Sequence, residues 1–172
     1  MQLTIKIDVR ELVYDIQNKT YLTGRSRSDG ANYRQVALMQ ANDDDENINQ
    51  IMRSIGNGMA RVQSELSEVM EAEAFNGDNA LRLDDDVKVL TLAMPGNFNT
   101  SATDSIAVAI HQYIVAYATS EWFMITNKPD TDDYGRLAKE SLELLRESLC
   151  KRSRPRREAA VSAGVADGGV GN

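Results

Sequence analysis

Seven apolar residues, Ile48, Met52, Ile55, Met59, Val62, Leu66 and Val69, recur at spacings of 4, 3, 4, 3, 4 and 3. That is the a/d pattern of a helix with one continuous apolar seam. It predicts a helix over 45–71, which at 1.5 Å per residue runs roughly 40 Å. A seam of that length must be covered, either by other helices of the same chain or by a second chain. An intrachain bundle face is the commoner solution. Asp43, Asp44, Asp45 and Glu46 stand at the start of the helix, where carboxylates cap free N–H groups and oppose the positive end of the dipole. Gly56 and Gly58 interrupt the middle at about 1 kcal/mol each relative to alanine. A close helix approach or a bend would account for them.

Around this helix the pattern changes period several times. Leu3, Ile5, Ile7 and Val9 alternate with Gln2, Thr4, Lys6 and Asp8, which predicts a half-buried strand over 2–9. From Arg10 the period becomes helical, with Leu12, Val13, Ile16 and Thr20 on one face, and Thr23-Gly24 reads as its C-terminal stop. Residues 24–33 carry no periodicity and read as a mobile basic loop. Val87 to Met94 is a β-branched run stopped by Pro95-Gly96, a second strand over 87–94. Thr103 can cap a helix starting at Asp104 and ending near Asn127. That helix is apolar nearly all round and belongs at the centre of the core. Thr131 then caps a last helix with a face of Tyr134, Leu137, Leu142, Leu145 and Leu149. The expected fold is mainly α, a bundle of about four helices with a small β element.

Several kinds of chemistry are excluded or disfavoured by the residue inventory. The chain of 172 residues has a single cysteine, Cys150, and a single histidine, His111. One cysteine forbids an intramolecular disulfide and fits a reducing compartment. One histidine disfavours a histidine-based metal site or a Ser-His-Asp triad. The acidic clusters at 43–46, 84–86 and 130–133 lack calcium-loop spacing, and capping explains two of them. Gly56-Asn57-Gly58 lies inside a helix and makes no phosphate loop. No run of about 18 apolar residues is present to span a membrane, and charge arrives too early after Met1 for a secretory segment. The expectation is a protein without catalytic residues, metal or cofactor.

Charge is distributed unevenly. Lys151, Arg152, Arg154, Arg156 and Arg157 crowd around Pro155, ahead of an Ala/Gly-rich stretch to Asn172. The net charge is −7, and 151–172 contributes +5 from those residues and −2 from Glu158 and Asp167, so the body to Cys150 carries about −10. A helix C-terminus needs one or two cations, not five. The chain therefore divides into a helical body, 1–150, and a basic then Ala/Gly-rich extension, 151–172. The extension is expected to meet an anionic partner and to order there.

The stretches Leu12-Val13-Tyr14-Asp15-Ile16-Gln17-Asn18-Lys19, Leu22-Thr23-Gly24-Arg25, Gln112-Tyr113-Ile114-Val115 through Glu121-Trp122-Phe123, and Arg152-Ser153-Arg154-Pro155-Arg156-Arg157 resemble small virion-structural proteins of tailed phages and prophages of Bacteroides-type bacteria. The half with Trp-Phe at one helix end, an Asn-Lys-Pro-Asp turn and a Tyr-led second helix is similar to head–tail connector (adaptor) proteins of the phage neck. The resemblance implies a homo-oligomeric ring, twelvefold in kind, under the portal, with a C-terminal extension sent into it. The implied partners are the portal protein and tail or stopper proteins; DNA passes through without specific binding, and no membrane is involved. The implied location is the virion neck, assembled in the host cytoplasm. Docking falls to Lys151, Arg152, Arg154, Pro155, Arg156 and Arg157. Candidates for subunit contacts are Ile48, Met52, Ile55, Met59, Val62, Leu66, Trp122 and Phe123. The two strands depart from the connector pattern and leave room for a tail terminator or completion protein. Two readings compete from other classes. One is a nucleic-acid-binding regulator, dimeric through the 48–69 seam and gripping phosphates with 25–27 and 151–157. The other is a small hydrolase using Cys150 or His111.

Overall fold

The alternating N-terminal residues form β1 (Gln2–Asp8), with Leu3, Ile5 and Ile7 buried and the intervening side chains exposed. Asp8 ends the strand and caps the next helix, its carboxylate accepting from the N–H groups of Arg10 and Glu11. The structure, a computed structural model, describes residues 1–71 and 86–154. In chain order the elements are β1, α1 (Val9–Ser26), α2 (Tyr33–Met39), α3 (Asp45–Leu66), β2 (Val87–Ala93), a 3₁₀ turn (Thr100–Ala102), α4 (Thr103–Thr126) and α5 (Lys128–Leu149). The fold is mainly α with a small β element, as the periodicities predict. The expected loop around Phe75 to Asp78, and Asp84 and Asp85, lie outside the described residues.

β1 and β2 pair antiparallel within one chain, with Ile5 opposite Leu90 and Leu3 opposite Leu92. Their shared inner face, Leu3, Ile5, Ile7, Leu90 and Leu92, is buried. Two strands are marginal alone, and α4 contacts β1 from within the bundle. α4 touches α1, α2, α3, α5 and β1, so nearly every side of it is buried. A helix apolar all round belongs in that position.

The seam of α3 is spent within the chain. Ile55, Met59, Val62 and Leu66 are buried, as are Trp122 and Phe123 on α4. These six candidates for subunit contact are core residues, because α4 covers the seam. Ile48 and Met52, half-buried, are the members of the set that remain at the surface. Gly58 marks the closest approach: a Cβ there would stand 3.3 Å from the Tyr117 ring and 3.6 Å from the Ile114 side chain. Val69 lies past the end of α3 but still packs on the core.

Three boundaries differ from the sequence reading. α1 continues through Thr23-Gly24 to Ser26, and Gly24 is buried inside it with a helical backbone. Its Cβ would meet Gln40 at 3.0 Å and the Val36 carbonyl at 3.2 Å, so the glycine serves close packing of α2 rather than a stop. Residues 27–32 form a closed turn in which Asp29 accepts from the N–H groups of Ala31 and Asn32, and Asn32 donates back to Arg27. Finally, α5 starts at Lys128, one residue after α4 ends, with Pro129 in its first turn, where the missing N–H costs nothing.

Candidate functional site

At the end of α5 the chain turns back onto the body. Cys150 caps the helix, and Lys151 donates to Ser148. The chain then runs beside 97–99: Asn99 donates to the Lys151 carbonyl at 3.1 Å, Ser153 donates to Asn97 at 2.8 Å, and Arg152 bridges Phe98 in antiparallel sense. Phe98 is buried, which fixes that loop to the core. The Arg152 guanidinium folds over the helix end and donates to the carbonyls of Leu149, 2.7 Å, and Lys151, 3.1 Å. A cation there satisfies orphan carbonyls and complements the dipole. Arg152, itself exposed, thus also anchors the root of the extension. Lys151 and Arg154 are exposed. Pro155, Arg156 and Arg157 lie outside the described residues.

The opposite end of the molecule has a different surface. α4 has 24 residues, so its two ends stand about 36 Å apart. At its C-terminal end Trp122 donates its indole N–H to the Met39 carbonyl at 2.8 Å, tying α2 to α4. Around this junction Leu38 (69% exposed), Met124 (56%) and Ile125 (71%) face outward. The same end holds a buried charge. Asp130 is 4% exposed and accepts from the guanidinium of Arg27 and from the Asn127 amide. This pairing joins the α1–α2 turn to the start of α5, and it raises the Arg27 pKa above its ordinary value through hydrogen bonding first and charge second.

A cleft of about 360 Å³ opens between α1, α4 and α5, lined by Asp15, Lys19, His111, Gln112, Tyr134 and Ser141 among others. His111 Nε2 lies 2.8 Å from Asp15 Oδ2, both side chains about one third exposed. A histidine oriented by a carboxylate is half of an acid–base catalyst and needs a nucleophile. Ser141 lines the cleft, but its hydroxyl donates to the Leu137 carbonyl at 2.9 Å, the back-bond of a helical serine. Cys150 lies nine residues further along, about 13 Å on, and does not line the cleft. The pair works as a clasp holding α1 against α4.

The acidic clusters separate into individual duties. Asp43 accepts from Gln17 at 2.9 Å, Asp45 and Glu46 occupy the first turn of α3, and Asp86 pairs with Arg10. Among the described residues no three His, Cys, Asp or Glu side chains come together to hold a metal ion, and no helix is long and apolar enough to cross a membrane. The Asp15–His111 and Arg27–Asp130 pairs were not foreseeable from spacing, since 96 and 103 residues separate the partners. Comparison with known proteins found no matching family, no matching curated relative and no matching solved structure.

Proposed function

We propose that the chain is a non-enzymatic structural protein of the phage neck, a ring-forming connector that joins portal to tail and docks through its C-terminal extension. The observation that carries this reading is the clip of 151–153 against 97–99. It sets the point from which the basic extension departs, so that Lys151 and Arg154 stand exposed on a body of opposite charge. An extension anchored at its root and carrying clustered arginines suits charge-assisted docking onto an acidic or phosphate-bearing neighbour. An apolar surface about 36 Å away along α4 offers a second contact. A protein with two unlike ends suits bridging. The acidic body suits a channel that DNA passes without adhering, and its location would be the virion neck.

Removing 154–172 while retaining the clip tests the docking role. Heads and tails are expected to accumulate unjoined, with the body still folded. Normal yield of joined particles from the truncated protein would sink the reading. Charge reversal at Arg154, Arg156 and Arg157 is expected to reproduce the loss without removing chain length.

A further inference from the structure

β1 bonds β2 through its odd-numbered residues. Met1 and Met94 exchange both backbone bonds at one end, at 2.8 and 2.7 Å, and Val9 donates to Asp86 at 2.8 Å at the other. Bonded pairs alternate in an antiparallel ladder. In this register Leu3, Ile5 and Ile7 therefore direct their N–H and C=O groups at β2, while Gln2, Thr4 and Lys6 direct theirs the opposite way. The outer edge of β2 is covered at its Thr91–Ala93 end, with Glu71 donating to Thr91 and Ala93 donating to Val69. The outer edge of β1 is not: among the described residues no strand or loop bonds the backbone of Gln2, Thr4 or Lys6 on that side. All three are exposed, and the run has no proline; Lys6 is its one charged edge residue before Asp8.

The geometry points to a second copy of this chain as the occupant of that edge. Two β1 strands pair antiparallel about a twofold axis and extend the sheet to β2–β1–β1–β2. The sequence is self-complementary in one register. With Ile5 on the axis all seven residues of β1 are paired: Leu3 faces Ile7, Thr4 faces Lys6 and Gln2 faces Asp8 of the second copy. Each Thr4 exchanges both backbone bonds with the second copy's Lys6, and the buried rows meet on the same face of the sheet. No like charges are opposed. Shifting the axis to Lys6 sets two ammonium groups face to face, and shifting it to Thr4 leaves Asp8 unpaired and sets Ile7 against Met1 rather than against a strand residue. A slip by an odd number of residues turns the apolar row to the wrong face. A two-stranded sheet gains most from added strands. This contact is isologous, so it is separate from the heterologous contacts that close a ring and stands independently of the neck reading.

Lys6→Pro tests the edge directly. It removes an N–H that points away from β2, leaves every β1–β2 bond in place, and sits where an edge strand tolerates proline. Native mass spectrometry of the full chain is expected to show a species of twice 19.1 kDa. The Lys6→Pro chain is expected to be single, with the melting midpoint that wild type shows when diluted until it too is single. The register is read from Thr4→Cys and Lys6→Cys chains, each with Cys150→Ser. Mixed and oxidised, they should cross-link far more than either alone. If proline lowers the midpoint, the cysteine pair decides. A wild-type chain that stays single at every concentration, a Lys6→Pro chain that dimerises as well as wild type, or cysteine pairs that link no faster than in denaturant each overturn the proposal.

Discussion

Gly58 sets how closely α3 and α4 approach, because the Tyr117 ring lies 3.3 Å from where its Cβ would be. Gly58→Leu should cost about 1–3 kcal/mol through overpacking, read as a lower denaturant midpoint. Gly58→Ala should be close to neutral, its gain of about 1 kcal/mol in helix propensity offsetting the tight contact. Tyr117 itself donates to Glu121 at 2.6 Å under the Arg61 guanidinium. Burial first, and the Glu121 bond second, push its phenol up to about 12. The folded state thus favours the neutral phenol. The stability this contributes is complete below about 10 and is lost as pH rises toward 12, so Tyr117→Phe should flatten the alkaline fall in stability. Asp130→Ala should cost about 1–3 kcal/mol, since a buried carboxylate accepting from Arg27 and Asn127 is removed. Gly58 was legible as a close-approach glycine because it interrupts a strong seam. Gly24 was not, because its neighbours Val36 and Gln40 lie in and just after α2, a helix too short to show a period.

The elements best foreseen are those whose burial follows a single period. β1, α3 and α4 are of this kind, their apolar positions spaced by two, by alternating three and four, or crowded all round. α2 has seven residues with Met39 alone buried, so its existence depends on Trp122 holding its last carbonyl. The start of α5 was obscured by Pro129, which reads as a break yet is accommodated in a first turn. Thr131, expected as the cap, sits inside that helix. α5 is tied to α3 by Arg146, which donates to both carboxylate oxygens of Glu65 at 2.8 and 2.6 Å. That bond holds the Glu65 pKa below its ordinary value. The contribution is present at neutral pH and disappears as pH falls through the lowered value. Glu65→Gln should therefore be less stable than wild type at pH 7 and indistinguishable from it in acid. Among apolar truncations, Ile110→Ala on α4 should cost about 2–5 kcal/mol, because that side chain is fully buried.

At the scale of the whole molecule the features that bear on assembly lie away from the core. The seam of α3 is consumed by α4, and Ile48, Met52 and Val69 stay partly open. What remains outward is a basic extension clipped at one end, apolar side chains at the other, and an unpaired edge of β1. The extension was legible as a composition change, since five cations in seven residues exceed any capping need. Its clip to 97–99 was not, because about 50 residues separate the two segments and neither carries a strand pattern. The use of Arg152 as an anchor follows from that clip, and Arg152→Ala should loosen the root of the extension while leaving α4 and α5 intact. Hydrogen exchange at Asn99 and Ser153 would show this as faster exchange confined to those sites. The central claim, that copies of this chain assemble on a portal through the extension, is tested most directly by electron microscopy of the full chain mixed with purified portal. The account predicts a closed ring of copies seated on the portal, absent when 154–172 is removed. A chain that stays unattached beside the portal, or a ring that forms equally well without the extension, would contradict it.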